Sequence, residues 1–265
     1  MKLYIKTGVL LLIVLNELAL IADPPKNAKW KLIPELSDEF NGTSLDSAKW
    51  ADFHSGGWKG RNPSQYLRSN VSVSGGNLLL AATVANADKK GDWLWSSCVS
   101  SKEKNCFYGY YEARIKASKI PMTSSFWFQG KYSEIDVCEN NGAPAIDNKD
   151  NNTAYLMRTC CHYFPKGWST DKATSRLTAM KTKCCDEYHI YGVEWDTVSI
   201  KFYLDNVQVF EVKHDGTFNE KHWMYFDTEA YIWDGLPTTI ESVSDPSKNK
   251  MLVDWVRSYK KIQNK

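Results

Sequence analysis

The chain has 265 residues, a formal net charge of +2, 43% hydrophobic and 13% aromatic residues. That length suits one large domain with a real core, and the near-neutral charge without a basic run argues against nucleic acid as a partner. Eleven Trp and fourteen Tyr exceed what a core of this size needs, which leaves aromatic rings for a binding surface such as a sugar cleft.

Lys2 and Lys6 precede an apolar run from Gly8 to Leu15 and the stretch Asn16 to Ala22. This reads as a secretory signal over residues 1–22, cleaved near Ala22 or Asp23, since the apolar run is short for a membrane span. An uncleaved anchor is the alternative. Residues 23–265 are then expected to form a single exported domain, secreted, periplasmic or held at the outer surface, with no stable membrane insertion.

After a linker at Pro24 to Lys29, a first strand is predicted at Trp30 to Ile33, with a turn at Ser37 to Gly42 and one helical turn over Leu45 to Trp50. His54 to Pro63 is a Gly/Pro-rich loop carrying Trp58 and Arg61, of the kind that tends to hold binding residues. Val71 to Val73 and Asn77 to Thr83 flank Gly75-Gly76, a two-residue hairpin signal. Strands follow at Trp93 to Ser100, Phe107 to Ala117 and Ser124 to Gln129, then at Glu134 to Glu139. Ala143 to Asn152 reads as a surface loop, and Ala154 to Arg158 and Glu187 to Trp195 as strands with an insertion from Lys166 to Lys183 between them. A second hairpin turns over Asp205-Asn206, and strands at Trp223 to Ile232 and Met251 to Tyr259 complete the set. No helical period is sustained and turn signals recur about every ten residues, which predicts an all-β sandwich with one concave sheet.

Glu134-Ile135-Asp136-Val137-Cys138-Glu139 holds three carboxylates within a strand-like run. Strict alternation would put Glu134, Asp136 and Cys138 on one face and Glu139 on the other. One extra residue, a β-bulge at Val137 and Cys138, would return Glu139 to the face of Glu134 and Asp136. Two glutamates leaning towards each other across Asp136 could then come to about 5–5.5 Å, the separation of the nucleophile and acid/base of a retaining glycosidase. A solvated acidic edge strand is the plain alternative.

Seven cysteines in an exported chain predict six paired and one free. Cys138 is taken as the buried free thiol, Cys98 and Cys106 as a hairpin staple, and the pairs Cys160-Cys161 and Cys184-Cys185 as cross-linked to each other. Adjacent pairs lack the C-x2-C spacing of a cysteine-rich zinc site.

Several segments together resemble family 16 glycoside hydrolases: Ser37 to Gly42, Tyr108 to Lys116, Phe126-Trp127-Phe128 with E-I-D-V-C-E, Tyr188 to Trp195, and Val253 to Arg257. The resemblance runs from about residue 30 to 260. It implies a β-jelly-roll of two antiparallel sheets with a concave substrate cleft. It also implies Glu134 as nucleophile, Asp136 as its helper and Glu139 as acid/base. The bulged E-x-D-x-x-E form is similar to the laminarinase, carrageenase, agarase and porphyranase branch.

Gly57 to Pro63 and Phe226 to Ala230 look most like the agarases and porphyranases of that branch. By that likeness Trp58 stacks on a sugar, Glu229 binds galactose hydroxyls and Trp127 lines the cleft floor. His162 falls in a segment where related agarases carry a histidine, though its neighbouring cysteines depart from the pattern. Arg61 and Arg158 are candidates for a sulfate ester, since guanidinium suits an oxyanion, which favours porphyran over agarose. The implied protein is a monomer that takes a polysaccharide or oligosaccharide and needs no cofactor, with a possible structural calcium near Gly42 and Asp254. Laminarin or carrageenan cleavage, or binding without catalysis, are the other readings.

Overall fold

Alternation along Gly109–Lys116 turns Tyr111, Ala113 and Ile115 to one side, and all three are buried. A strand with one apolar face must cover it with another layer. In the computed structural model, which describes residues 24–146 and 152–262, two stacked antiparallel sheets do so, in the jelly-roll arrangement expected. The N-terminal signal reading lies outside the described residues.

The outer sheet runs, edge to edge, through Val207–Lys213, Ser199–Leu204, His189–Trp195, Gly109–Lys116, Lys250–Lys261, Asn77–Ala81 and Val71–Ser74, with Trp30–Leu32 also paired to Lys250–Lys261. The inner sheet runs through Lys172–Ala179, Leu156–Tyr163, Ser133–Asn141, Thr123–Gln129, Trp223–Asp227, Cys98–Ser101 and Trp50–Ala51. A small third sheet of Ser64–Tyr66, Leu94–Ser96 and Thr83–Val84 sits beside them. Between the large sheets lies one apolar core. Phe126 stacks on Phe226 at 4.9 Å within the inner sheet, and Phe128 reaches Tyr111 of the outer sheet at 5.0 Å.

Both predicted hairpins close as tight turns with positive φ at each central residue, Gly75 and Gly76 in one and Asp205 and Asn206 in the other. That is the handedness that matches strand twist. Three local expectations change. Leu45 to Trp50 forms turns leading into a short strand rather than a helical turn. Trp93 to Ser100 divides into two strands of different sheets, Leu94–Ser96 and Cys98–Ser101. The stretch from Lys166 to Lys183 supplies the edge strand Lys172–Ala179, whose residues are almost all exposed. Exposed on both faces, it has no buried face for periodicity to detect. Among the described residues the only α-helix is Ile240–Ser244, capped by Thr239, whose hydroxyl accepts from the Ser242 amide at 3.2 Å.

The seven cysteines are buried free thiols, so the predicted disulfides are not formed. The sheet explains why. Cys98 packs on the cleft side with Trp127 and Tyr225, while Cys106 lies in the main core. Cys161, Cys184 and Cys185 lie in the same main core, whereas Cys160, one residue from Cys161 on the strand, points to the opposite face. Near the place expected for calcium, the Asp254 carboxylate is held by Arg114 at 2.6 Å.

Candidate active site

The site is built on the strand Ser133–Asn141. Pairing with Thr123–Gln129 places Phe126 opposite Cys138 and Trp127 opposite Asp136, so Val137 is an extra residue without its own partner. This is the bulge the carboxylate spacing called for. Ile135, Val137 and Cys138 are fully buried in the core, and Glu134, Asp136 and Glu139 emerge together on the other face, where they line one cleft of about 430 Å³.

Each carboxylate has its own surroundings. Glu134 lies opposite Gln129, whose side-chain amide donates to it at 2.7 Å. Burial and the neighbouring Glu139 push Glu134 up to about 8, with the Gln129 amide pulling the other way. Asp136 is only 2% exposed, and its Oδ2 accepts no hydrogen bond. Burial, then Glu134 and Glu139, drive its pKa upward. Glu139 accepts a hydrogen bond from the Tyr231 hydroxyl. Burial raises it, while the Tyr231 hydrogen bond and nearby cationic side chains favour its charged form. Three carboxyl groups sharing one cleft do not all ionise at neutral pH, and Asp136, buried and with no hydrogen bond to Oδ2, is pushed strongly towards its protonated form.

The aromatic residues form the floor and one wall. Trp127 stacks on Tyr225 at 4.4 Å and leans on His54, which stacks on the same tyrosine at 4.2 Å. Burial lowers His54 to about 4, so it is a neutral ring at working pH. Trp58 meets Tyr66 edge-on at 5.7 Å and remains 37% exposed, which leaves a ring available to a ligand. Gly57 and Gly60, at φ +86° and +107°, give the loop that carries Trp58 a path other residues take at a cost.

The two arginines separate. Arg61 Nε donates to Glu229 at 2.7 Å, and its guanidinium sits 5.1–5.6 Å from the rings of Trp58, Tyr231 and Trp233. Arg61 and Glu229 both line the cleft. Arg158 instead spends both ends of its fork on Asp234, at 2.6 and 2.7 Å, and does not line the cleft. As a sulfate candidate it is therefore corrected: its oxyanion is a protein carboxylate. Its pairing, together with Arg61 and Glu229, fastens the segment from Glu229 to Asp234 over the catalytic strand and sets Tyr231 on Glu139. His162 faces the protein as well, with Nδ1 at 2.7 Å from Asp171 and Nε2 at 3.4 Å from Asp136.

Sequence reasoning missed Gln129, Tyr231 and Trp168. Gln129 was within reach of register arithmetic, since the hairpin sets it opposite Glu134. Tyr231 lies two residues beyond Glu229, in a stretch read as strand that in fact leaves the sheet after Asp227. Trp168, on the connection read as an insertion, is 53% exposed at the mouth of the cleft.

A concave sheet lined with rings, with paired glutamates across an aspartate on a bulged strand, defines a glycoside hydrolase. The pattern described as Beta-porphyranase A-D, GH16 domain, matches residues 30–261, and the chain belongs to that family of glycoside hydrolases. It is 34% identical over 256 residues to β-porphyranase E of Zobellia galactanivorans, covering 89% of each chain. It is 30% identical to β-porphyranase B of Phocaeicola plebeius, covering 91% of this chain and 88% of that one. The crystal structure of porphyranase B from Zobellia galactanivorans superposes with a TM-score of 0.79 at 27% identity, covering 91% of this chain and 97% of that one.

Proposed function

We propose that this protein is a secreted, monomeric, retaining endo-glycosidase that cleaves β-1,4 linkages of porphyran by double displacement. The observation that carries the reading is the Val137 bulge, which puts Glu134 and Glu139 on one cleft face with Asp136 between them. Its similarity to β-porphyranases supports the substrate class.

Glu134 reacts as its carboxylate, the form that the Gln129 amide and Arg61 favour against burial, and attacks the anomeric carbon while Glu139 gives its proton to the departing glycosidic oxygen. Glu139, now ionised and stabilised by the Tyr231 hydroxyl, takes a proton from water, which opens the glycosyl-enzyme ester and releases the sugar. Asp136 supports Glu134 by keeping the cluster's charge low while the nucleophile is ionised. No metal or other cofactor enters these steps.

Trp58 and Trp127 supply stacking surfaces for the sugar rings, and Glu229 accepts from galactose hydroxyls while it holds Arg61. Among the described residues the terminal nitrogens of Arg61 have no protein hydrogen bond, so they are available to the 6-sulfate of porphyran. His162 sits beneath these contacts and acts through Asp136.

Reducing-end release from porphyran, agarose, carrageenan and laminarin, measured side by side, tests the assignment. Porphyran is expected to be cleaved fastest, and Arg61→Ala to narrow its lead over agarose. Preferred cleavage of laminarin or carrageenan would overturn the substrate class, and binding without cleavage would overturn the enzyme reading. N-terminal sequencing of exported protein, with a start near Asp23, tests the signal.

A further inference from the structure

Cys160 and His162 are two residues apart on Leu156–Tyr163, so their side chains share a face. Pairing with the catalytic strand sets Cys160 opposite Asp136 and His162 opposite Glu134, which makes that shared face the cleft side. The Asp136 carboxylate, the Cys160 sulfur and a His162 ring nitrogen consequently have ligand atoms within 4.8 Å of one another. A tetrahedral Zn²⁺ with bonds of about 2.0–2.3 Å sets its ligands about 3.3–3.8 Å apart, so side-chain rotations of about an ångström close the set. Asp136 Oδ2 points here, 98% of the residue being buried and the atom without a hydrogen bond.

We propose that Asp136, Cys160 and His162 form a site for one Zn²⁺ ion that reversibly inhibits the enzyme. The donor set is one oxygen, one sulfur and one nitrogen, the mixture Zn²⁺ accepts, with a fourth position left for water. The outer contact is also in place: Asp171 Oδ2 lies 2.7 Å from Nδ1 of His162, which turns Nε2 towards Asp136 and raises its basicity. The Trp168 ring lies edge-on to the imidazole at 5.5 Å and limits its swing. Glu134, in its ionised form, adds negative potential that draws a cation in. On ligation the Cys160 thiol and the protonated Asp136 carboxyl each give a proton to solvent. The bound ion takes the Asp136 carboxylate away from Glu134, and turnover falls. That inhibition rests on the role given to Asp136, whereas the binding does not.

The test is titration of the metal-free, fully reduced protein with Co²⁺, read by the near-ultraviolet thiolate-to-cobalt absorption, followed by displacement with Zn²⁺. One equivalent is expected to produce the band, Cys160→Ala to abolish it, and Asp171→Asn to weaken binding about 10–100-fold. In the activity assay Zn²⁺ is expected to inhibit wild type, EDTA to restore it, and Cys160→Ala to keep its metal-free rate while losing the inhibition. A band that survives Cys160→Ala, or no band at several equivalents, would overturn the site. If Cys160→Ala does not fold, an unchanged cobalt affinity in Asp171→Asn and His162→Gln would overturn it equally. Cobalt binding without zinc inhibition would leave the site standing and remove the role given to Asp136.

Discussion

The two faces of the strand Ser133–Asn141 differ in kind. On one, Ile135, Val137 and Cys138 are sealed into an apolar core with Phe126, Phe128 and Phe226. On the other, Glu134, Asp136 and Glu139 are crowded with each other and with Asp227 and Glu229, and all five are pushed towards their protonated forms, mainly by burial. The core face stabilises the fold, and the cleft face carries a standing electrostatic cost. Such strain persists because the other face holds the strand in place.

Substitutions that act on one face alone test this division. The largest effect expected is from Glu134→Gln or Glu139→Gln, which should lower kcat on porphyran by at least about 10³-fold while circular dichroism and oligosaccharide binding are kept. Near-normal turnover in Glu134→Gln would sink the assignment. On the opposite face Phe226→Ala should cost about 3–5 kcal/mol in denaturant unfolding, with kcat intact wherever the protein remains folded.

Arg158→Ala should destabilise by about 3 kcal/mol, because it strands the buried Asp234 carboxylate. Arg61→Ala, whose side chain is 40% exposed, should show itself in KM for the sulfated polymer more than in melting temperature. Comparing the two variants by thermal melting and by porphyran kinetics separates a structural arginine from a substrate-facing one.

Tyr231→Phe removes a hydrogen bond that favours the charged form of Glu139, so the Glu139 pKa should rise. The alkaline limb of the kcat/KM profile, where Glu139 loses its proton, should then move up by about one pH unit. A limb that stays in place would show that Tyr231 only packs.

The smallest effect concerns stability. Folding raises the Glu134 pKa to about 8, so the folded state carries a penalty that is absent below the ordinary carboxylate range near pH 4.5 and complete above pH 8. Glu134→Gln should therefore stabilise the protein at pH 8, with the gain vanishing below pH 4.5. Melting curves of the two proteins across that range check the sign.

What could be read without the structure was whatever depends on residues close in sequence. Period-two alternation located most strands, Gly75-Gly76 and Asp205-Asn206 marked their hairpins, and the spacing from Glu134 to Glu139 required one extra residue, which Val137 supplies. Those features follow from backbone geometry, which acts over a few residues. Tertiary structure decided the rest, because it depends on which strands become neighbours. Arg158 found Asp234 and Arg61 found Glu229 across 76 and 168 positions. Cys160 and Cys161, alike in sequence, parted to opposite faces. A spacing rule that looks for zinc ligands within one segment could not see Asp136 meeting Cys160 and His162, since only strand pairing brings them together. The acidic strand was legible as the place of chemistry, and the fold alone supplied its companions.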